Sequence, residues 1–217
     1  MRSIIITAGG HGKRMGSSTP KQFLELKGRP ILFYTIEKFL EFDPSLEIIL
    51  VLPADHIDTW NSLCSSHSFD HSLTVVEGGK ERFHSVKNGI EKATGNIIAV
   101  HDGVRPFVSA EVLVEVFSAA EEKGAALPVI APKESIRVIE GDASSSVDRS
   151  KYKLVQTPQV FQRDVLLKAY QSEYKSTFTD DASVVENSGH SITLVEGNEE
   201  NIKITTPTDL KWAELFI

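Results

Sequence analysis

Five short apolar runs limit what this chain can fold into. Residues 4–6, 48–52, 73–76, 97–100 and 126–130 are mostly aliphatic, many of them β-branched, and they do not alternate with polar residues. A strand with one wet face alternates. An unbroken apolar run needs cover on both faces, which parallel sheets provide. Between the runs, Leu32, Ile36, Phe39 and Leu40 fall on one face at helical spacing, as do Val112, Leu113, Val116, Phe117 and Ala120. Strands alternating with helices predict right-handed βαβ units. The fold class expected is α/β, with a doubly wound, mostly parallel (mixed) Rossmann-like sheet. At 217 residues the chain suits a single domain spanning 1–217.

The alternation breaks at 132–156. Here a strand-like Ser135-Ile136-Arg137-Val138-Ile139 meets a Gly141-Asp142 turn, and a second extended segment follows near 152–155. A two-stranded ribbon is marginal alone. This protruding β-hairpin arm is therefore expected to pack on a second subunit, giving a homodimer. Beyond it the pattern predicts helices at 164–174 and 181–187, a strand at 192–195 and a terminal helix from Pro207.

The net charge of −7 argues against a nucleic-acid groove, which needs a basic surface. Cations are nevertheless concentrated early: Lys13, Arg14, Lys21, Lys27 and Arg29 share the first thirty residues with one acid, Glu25. A lone cysteine, Cys64, excludes an internal disulfide framework and suggests a reducing compartment. No signal peptide is evident, and no apolar stretch approaches the ~20 residues that span a bilayer. The expectation is a cytoplasmic protein with no membrane or nucleic-acid partner.

Directly after the first strand comes Thr7-Ala8-Gly9-Gly10-His11-Gly12-Lys13-Arg14-Met15-Gly16, then Pro20-Lys21-Gln22. In doubly wound sheets ligands bind at the carboxyl ends of strands. Glycines there let backbone N–H groups approach phosphate oxygens. A dinucleotide fingerprint beginning at Gly10 would need glycine where Met15 stands. A P-loop ending at Gly12-Lys13 would need glycine at Thr7 and a hydroxyl at Arg14. Neither fits. What remains is a backbone nest beside Lys13, Arg14 and Lys21, suited to a triphosphate.

That loop resembles the signature of the sugar-nucleotide pyrophosphorylase superfamily. Four later segments narrow the resemblance: Gly78-Gly79-Lys80-Glu81-Arg82-Phe83-His84-Ser85-Val86, Val100-His101-Asp102-Gly103-Val104-Arg105-Pro106-Phe107, Gln156-Thr157-Pro158-Gln159, and Glu196-Gly197-Asn198 through Asn201-Ile202-Lys203-Ile204-Thr205. Together they are similar to the 2-C-methyl-D-erythritol 4-phosphate cytidylyltransferase family, end to end. The resemblance implies a nucleotidyltransferase (GT-A-like) fold and an enzyme of the non-mevalonate isoprenoid route. Its substrates would be CTP and a sugar-alcohol phosphate, with Mg²⁺ as cofactor. It also implies roles. Arg14, Lys21, Lys203 and Arg149 would be catalytic. Ala8, Gly9, Gly10, Gly12, Lys13, Gly79, Lys80, Ser85 and Gly103 would hold the nucleotide. Asp102, Arg105, Ser135, Arg137, Arg149 and Lys203 would bind the acceptor, Asp102 also holding the metal and Arg149 reaching into the partner's site. Many family members carry Asp-Thr-x-Lys where this arm has Glu134-Ser135-Ile136-Arg137, and arginine presents a fork where lysine presents a point charge.

Blander roles compete. Asp102-Gly103 is a strong turn pair. Thr179-Asp180-Asp181 reads as a helix cap rather than a metal site. His11, His84 and His101 match no zinc spacing. Lys203 sits in an alternating 201–205 segment, whose polar side would face out in a strand. Ribitol 5-phosphate cytidylyltransferase is the nearest alternative function, and a non-catalytic nucleotide-binding protein is the alternative of another class. Met15 disfavours a nicotinamide-dependent oxidoreductase.

Overall fold

The computed structural model describes residues 1–10 and 19–217. In chain order the elements are β1 (Arg2–Thr7), β2 (Glu25–Leu26), β3 (Arg29–Pro30), α1 (Ile31–Phe42), β4 (Glu47–Leu52), α2 (Ile57–Ser66), β5 (Thr74–Glu77), α3 (Arg82–Lys92), β6 (Ile97–Asp102), α4 (Ala110–Lys123), β7 (Ala125–Ile130), β8 (Arg137–Glu140), β9 (Ala143–Ser146), β10 (Leu154–Val155), β11 (Gln159–Gln162), α5 (Arg163–Ala169), α6 (Asp181–Asn187), β12 (Thr193–Glu196) and α7 (Pro207–Ala213).

The main sheet has eight strands in the order β10-β7-β11-β6-β1-β4-β5, with β12 also on β7. β6, β1, β4 and β5 are parallel to one another, and β12 is parallel to β7. β11 is antiparallel to both β6 and β7 and makes the sheet mixed. All five apolar runs lie in strands; four are buried along nearly their whole length, and β5, at the sheet edge, buries Val76 and exposes Thr74 and Glu77. Ile4 and Ile6 pack with Phe33, Phe39 and Phe117 of α1 and α4. Ile5, between them, packs with Phe83, Val86 and Ile90 of α3 on the other face. Adjacent residues thus enter two separate cores.

Three expectations need correction. The arm is a hairpin, but β8 pairs with β9 at 143–146 across the Gly141 turn, not with residues 152–155. That later segment is β10, which joins the main sheet against Val129 and Ile130. The expected helix at 164–174 ends at Ala169. Residues 201–205 are not a strand; they run as an irregular segment with Asn201 and Ile204 buried. α2, α3 and β11 left weaker marks in the sequence. α2 buries only Trp60, and β11 carries glutamines at both ends.

α3 lies so close to the sheet that position 89 has no room for a side chain: a Cβ there would stand 2.6 Å from Ile5 Cγ2 and 3.2 Å from Val51 Cγ2. Gly→Ala inside a helix normally stabilises by ~1 kcal/mol. Overpacking a core costs ~1–3 kcal/mol. Gly89→Ala should therefore destabilise the protein by about 1–2 kcal/mol, read as a lower urea midpoint with unchanged slope.

Candidate active site

At the carboxyl ends of β1, β4, β5 and β6 the structure opens a cleft of about 430 Å³. Ala8, Gly9 and Gly10 after β1 form one wall; Gly78 to Arg82, between β5 and α3, form another. The loops are pinned by backbone bonds to β4: Ala8 N–H donates to Val51 O at 3.0 Å and Gly78 N–H to Leu52 O at 2.7 Å. Gly79 is required by close approach, since a Cβ there would stand 2.4 Å from His84 Cβ. Its N–H donates to Ser85 Oγ at 3.1 Å.

Lys21 reaches the cleft from the short turn Lys21–Phe23. Its stem crosses Gly10, where an added Cβ would come within 2.7 Å of Lys21 Cε. The next residue, Gln22, is fully buried and donates to Ala8 O at 2.7 Å. That bond ties the turn to the glycine loop and sets the lysine over it.

Asp102 ends β6 with its side chain 11% exposed, beside Lys203 Nζ at 2.9 Å and Arg105 Nε at 3.3 Å. Burial alone would raise its pKa. Lys203, Arg82 and Arg105 outweigh burial and hold the carboxyl well below the usual carboxylate range. The Asp102-Gly103 turn does form, with Arg105 N–H donating to Asp102 O at 3.1 Å, but the carboxylate itself faces the cleft. Arg105 stands behind it, anchored through Nη1 to Asn201 O at 2.7 Å.

Sequence reasoning missed Arg82. It lines the cleft with its side chain 33% exposed and forks onto Asp181 of α6 at 2.9 and 2.7 Å. Asp181 is fully buried and also accepts from Tyr170 Oη at 2.6 Å. Arg82 and Asp181 are 99 residues apart, and the one available signal was the arginine's place after a glycine pair. Asp180 caps α6 in a reciprocal box with Ser183, as expected.

Of the residues the resemblance implied, Ala8, Gly9, Gly10, Lys21, Gly79, Lys80, Ser85, Asp102 and Lys203 converge on this one cleft. Gly103 does not line it. It packs underneath, where a Cβ would stand 3.0 Å from Leu32 Cδ1 and 3.1 Å from Ala8 Cβ. Gly12, Lys13 and Arg14 lie outside the described residues. Ser135, Arg137 and Arg149 are exposed on the arm and away from the cleft of their own chain. Arg137 bonds Ser144 Oγ at 3.0 Å, and Arg149 donates to Lys133 O.

Among the described residues no three or more His, Cys, Asp or Glu side chains group to hold a metal ion. The cleft offers Mg²⁺ the carboxylates of Asp102 and Glu81. That fits an ion carried mainly by phosphate oxygens and one protein carboxylate, not an all-protein cage.

His101 is fully buried, and burial pulls its pKa down to about 4. The folded state thus resists a proton that the unfolded chain accepts below about pH 6.5. Between pH 6.5 and 4 the unfolded state binds more protons, so stability falls as pH falls, by about 3 kcal/mol over the window. His101→Gln should remove most of that slope, read from urea unfolding at several pH values.

Comparison with known proteins places this architecture. The family model for IspD, 2-C-methyl-D-erythritol 4-phosphate cytidylyltransferase, matches residues 2–217. The Bacteroides fragilis protein of that name is 51% identical over 217 residues, covering 100% of this chain and 99% of the relative. The Francisella tularensis structure of that name superposes with a TM-score of 0.82 at 29% identity, over 100% of this chain and 99% of the other. A 4-diphosphocytidyl-2C-methyl-D-erythritol synthase from Anaerococcus prevotii gives 0.83 at 28% identity, over 99% and 97%. With its whole length matched and its glycine loops and Asp102 gathered at one sheet edge, the chain belongs to the 2-C-methyl-D-erythritol 4-phosphate cytidylyltransferase family.

Proposed function

We infer that this chain transfers the cytidylyl group of CTP to 2-C-methyl-D-erythritol 4-phosphate, forming 4-diphosphocytidyl-2-C-methyl-D-erythritol and releasing pyrophosphate. The observation that carries the reading is the meeting, in one cleft, of a glycine-lined wall overlaid by Lys21 with an anionic Asp102 flanked by Lys203. An acceptor phosphate oxygen attacks the α-phosphorus, a new P–O–P bridge forms, and the bond to the β-phosphate breaks. Both reactants are polyanions, so positioning and charge stabilisation dominate the barrier.

In this reading the amides around Ala8, Gly9 and Gly79 hold the nucleotide, and Lys21 with Arg14 stabilises the charge developing on the phosphates. Asp102 is the residue that would hold Mg²⁺, which neutralises phosphate charge when bound. Lys203, ion-paired to Asp102 yet 40% exposed, would meet the acceptor. The second subunit's arm completes the site with Arg149. Support for the dimer comes from β8 and β9, which are exposed throughout, with Ile139 68% exposed; a lone two-stranded ribbon is only marginally stable in water. The single cysteine supports a cytoplasmic setting.

With CTP and Mg²⁺, pyrophosphate release should be far faster with 2-C-methyl-D-erythritol 4-phosphate than with ribitol 5-phosphate. The reverse preference would overturn the acceptor assignment. Lys21→Ala and Arg14→Ala should each lower turnover about a hundredfold or more while leaving the thermal midpoint within about 2 °C. Near-normal turnover would remove that residue from the catalytic set. Light scattering at micromolar concentration should give twice the chain mass; a fully active monomer would refute the shared site.

A further inference from the structure

The first turn of α3 carries an ion pair that none of the roles above uses. Arg82 opens the helix and lines the cleft, and its two Nη atoms reach Asp181 at the start of α6. From behind, the Tyr170 hydroxyl donates to the same carboxyl group at 2.6 Å, since burial and the charge on Asp181 keep the phenol protonated. The Tyr170 ring stacks on Phe83, the neighbour of Arg82, with centroids 4.7 Å apart and planes 16° apart. α6 is itself fastened to the sheet. The buried Gln159 side chain of β11 donates to Asp180 at 2.8 Å and accepts from Ala182 N–H at 2.8 Å.

The glycine wall is tied to α3. Ser85 Oγ accepts from Gly79 N–H at 3.1 Å, and Asn88 Nδ2 donates to Glu77 O at 2.9 Å, so both ends of the 77–79 turn hang on that helix. Whatever fixes the first turn of α3 therefore fixes the wall. Phe83, Val86 and Ile90 press the helix onto the sheet, but the hydrophobic effect has no direction. A fork of two charge-assisted N–H···O bonds does. Stability alone does not account for the pair, because a buried ion pair is roughly break-even against apolar side chains of the same volume. With both Nη atoms committed to Asp181, a long side chain at the cleft edge is kept from swinging onto an incoming anion.

We propose that Arg82, held by Asp181 and Tyr170, is a positioning residue for the nucleotide: its fork sets the first turn of α3 and so the place where the Gly78–Gly79 backbone and the Ser85 hydroxyl meet CTP. That role rests on the cytidylyltransferase reading. It belongs to one substrate. Lys203 and Arg105 have separate anchors, on Asp102 and on Asn201 O, and neither bond passes through α3 or α6. Loosening the fork should disturb CTP and spare the acceptor.

The test compares two variants. Arg82→Lys keeps the cation whose charge reaches Asp102 but cannot fork onto both Asp181 oxygens. Tyr170→Phe keeps the ring stack and removes the hydroxyl. For each, the Kd for CTP with Mg²⁺ is measured by calorimetry, KM for CTP and for 2-C-methyl-D-erythritol 4-phosphate by pyrophosphate release, and the thermal midpoint is recorded. Losing one hydrogen bond to a charged group costs on the order of tenfold. Arg82→Lys should weaken CTP binding by about that factor, with KM for the acceptor changed less than about twofold. Tyr170→Phe, one bond further from the wall, should weaken CTP about threefold and also spare the acceptor. Both act through Asp181, so the double variant should weaken CTP by less than the product of the two. Unchanged CTP affinity in Arg82→Lys despite a lowered midpoint would make the pair merely structural and overturn the proposal. Equal loss for both substrates, or a double variant matching the product, would overturn it too. A wild type that binds CTP but transfers nothing to this acceptor would sink the functional reading instead, and the calorimetry would still decide the role of Arg82. A wild type that binds no CTP would sink both.

Discussion

The cleft depends on one buried charge. Asp102 is taken almost out of water at the end of a strand that is buried along its whole length, and it survives as an anion because cations surround it. An unpaired carboxylate there would simply take up a proton. The ion pair with Lys203 also explains why an irregular segment is held so firmly. That segment has no ladder of its own and is tied down by Ile204 N–H on Val104 O, by Arg105 on Asn201 O and by the buried amides of Gln156 and Asn201. Charge and backbone anchoring reinforce each other.

The rest of the fold delivers backbone to that charge. Parallel strands ending together put the loops after β1, β4, β5 and β6 on one rim. The glycines then act by absence: Gly10 makes room for the Lys21 stem, Gly79 for the first turn of α3, and Gly103 for Ala8 and Leu32 beneath the floor. None of these three lies in the left-handed region, so close approach is what each requires. The same principle holds Gly89 against the sheet. Tight contact between helix and strand keeps the rim rigid enough for polyanions to be oriented rather than merely attracted.

Much of this was readable from local pattern. Unalternating apolar runs reported strands of the main sheet, and glycines and an aspartate at the ends of such runs reported the rim where the cleft opens. What stayed hidden was non-local. Arg82 meets Asp181, and Thr157 meets His101, across separations that leave no periodic trace. Residues 201–205 alternate apolar and polar yet form no strand: Asn201 turns inward to donate to Thr157 O, while Lys203 stays 40% exposed beside Asp102. The arm misled for a related reason. Tyr152 to Val155 are extended in both readings, but main-sheet edge positions at Val129 and Ile130 competed successfully for them.

Asp102 is an anion fixed among cations. The ¹³C shift of its carboxyl, followed against pH in the folded protein, tests this directly. No titration is expected through the ordinary aspartate range near pH 4, because protonation is displaced to more acidic conditions. A carboxyl that titrates at or above about pH 4 would mean that burial, not the surrounding cations, sets its state, and would contradict the electrostatic frame on which the proposed chemistry stands.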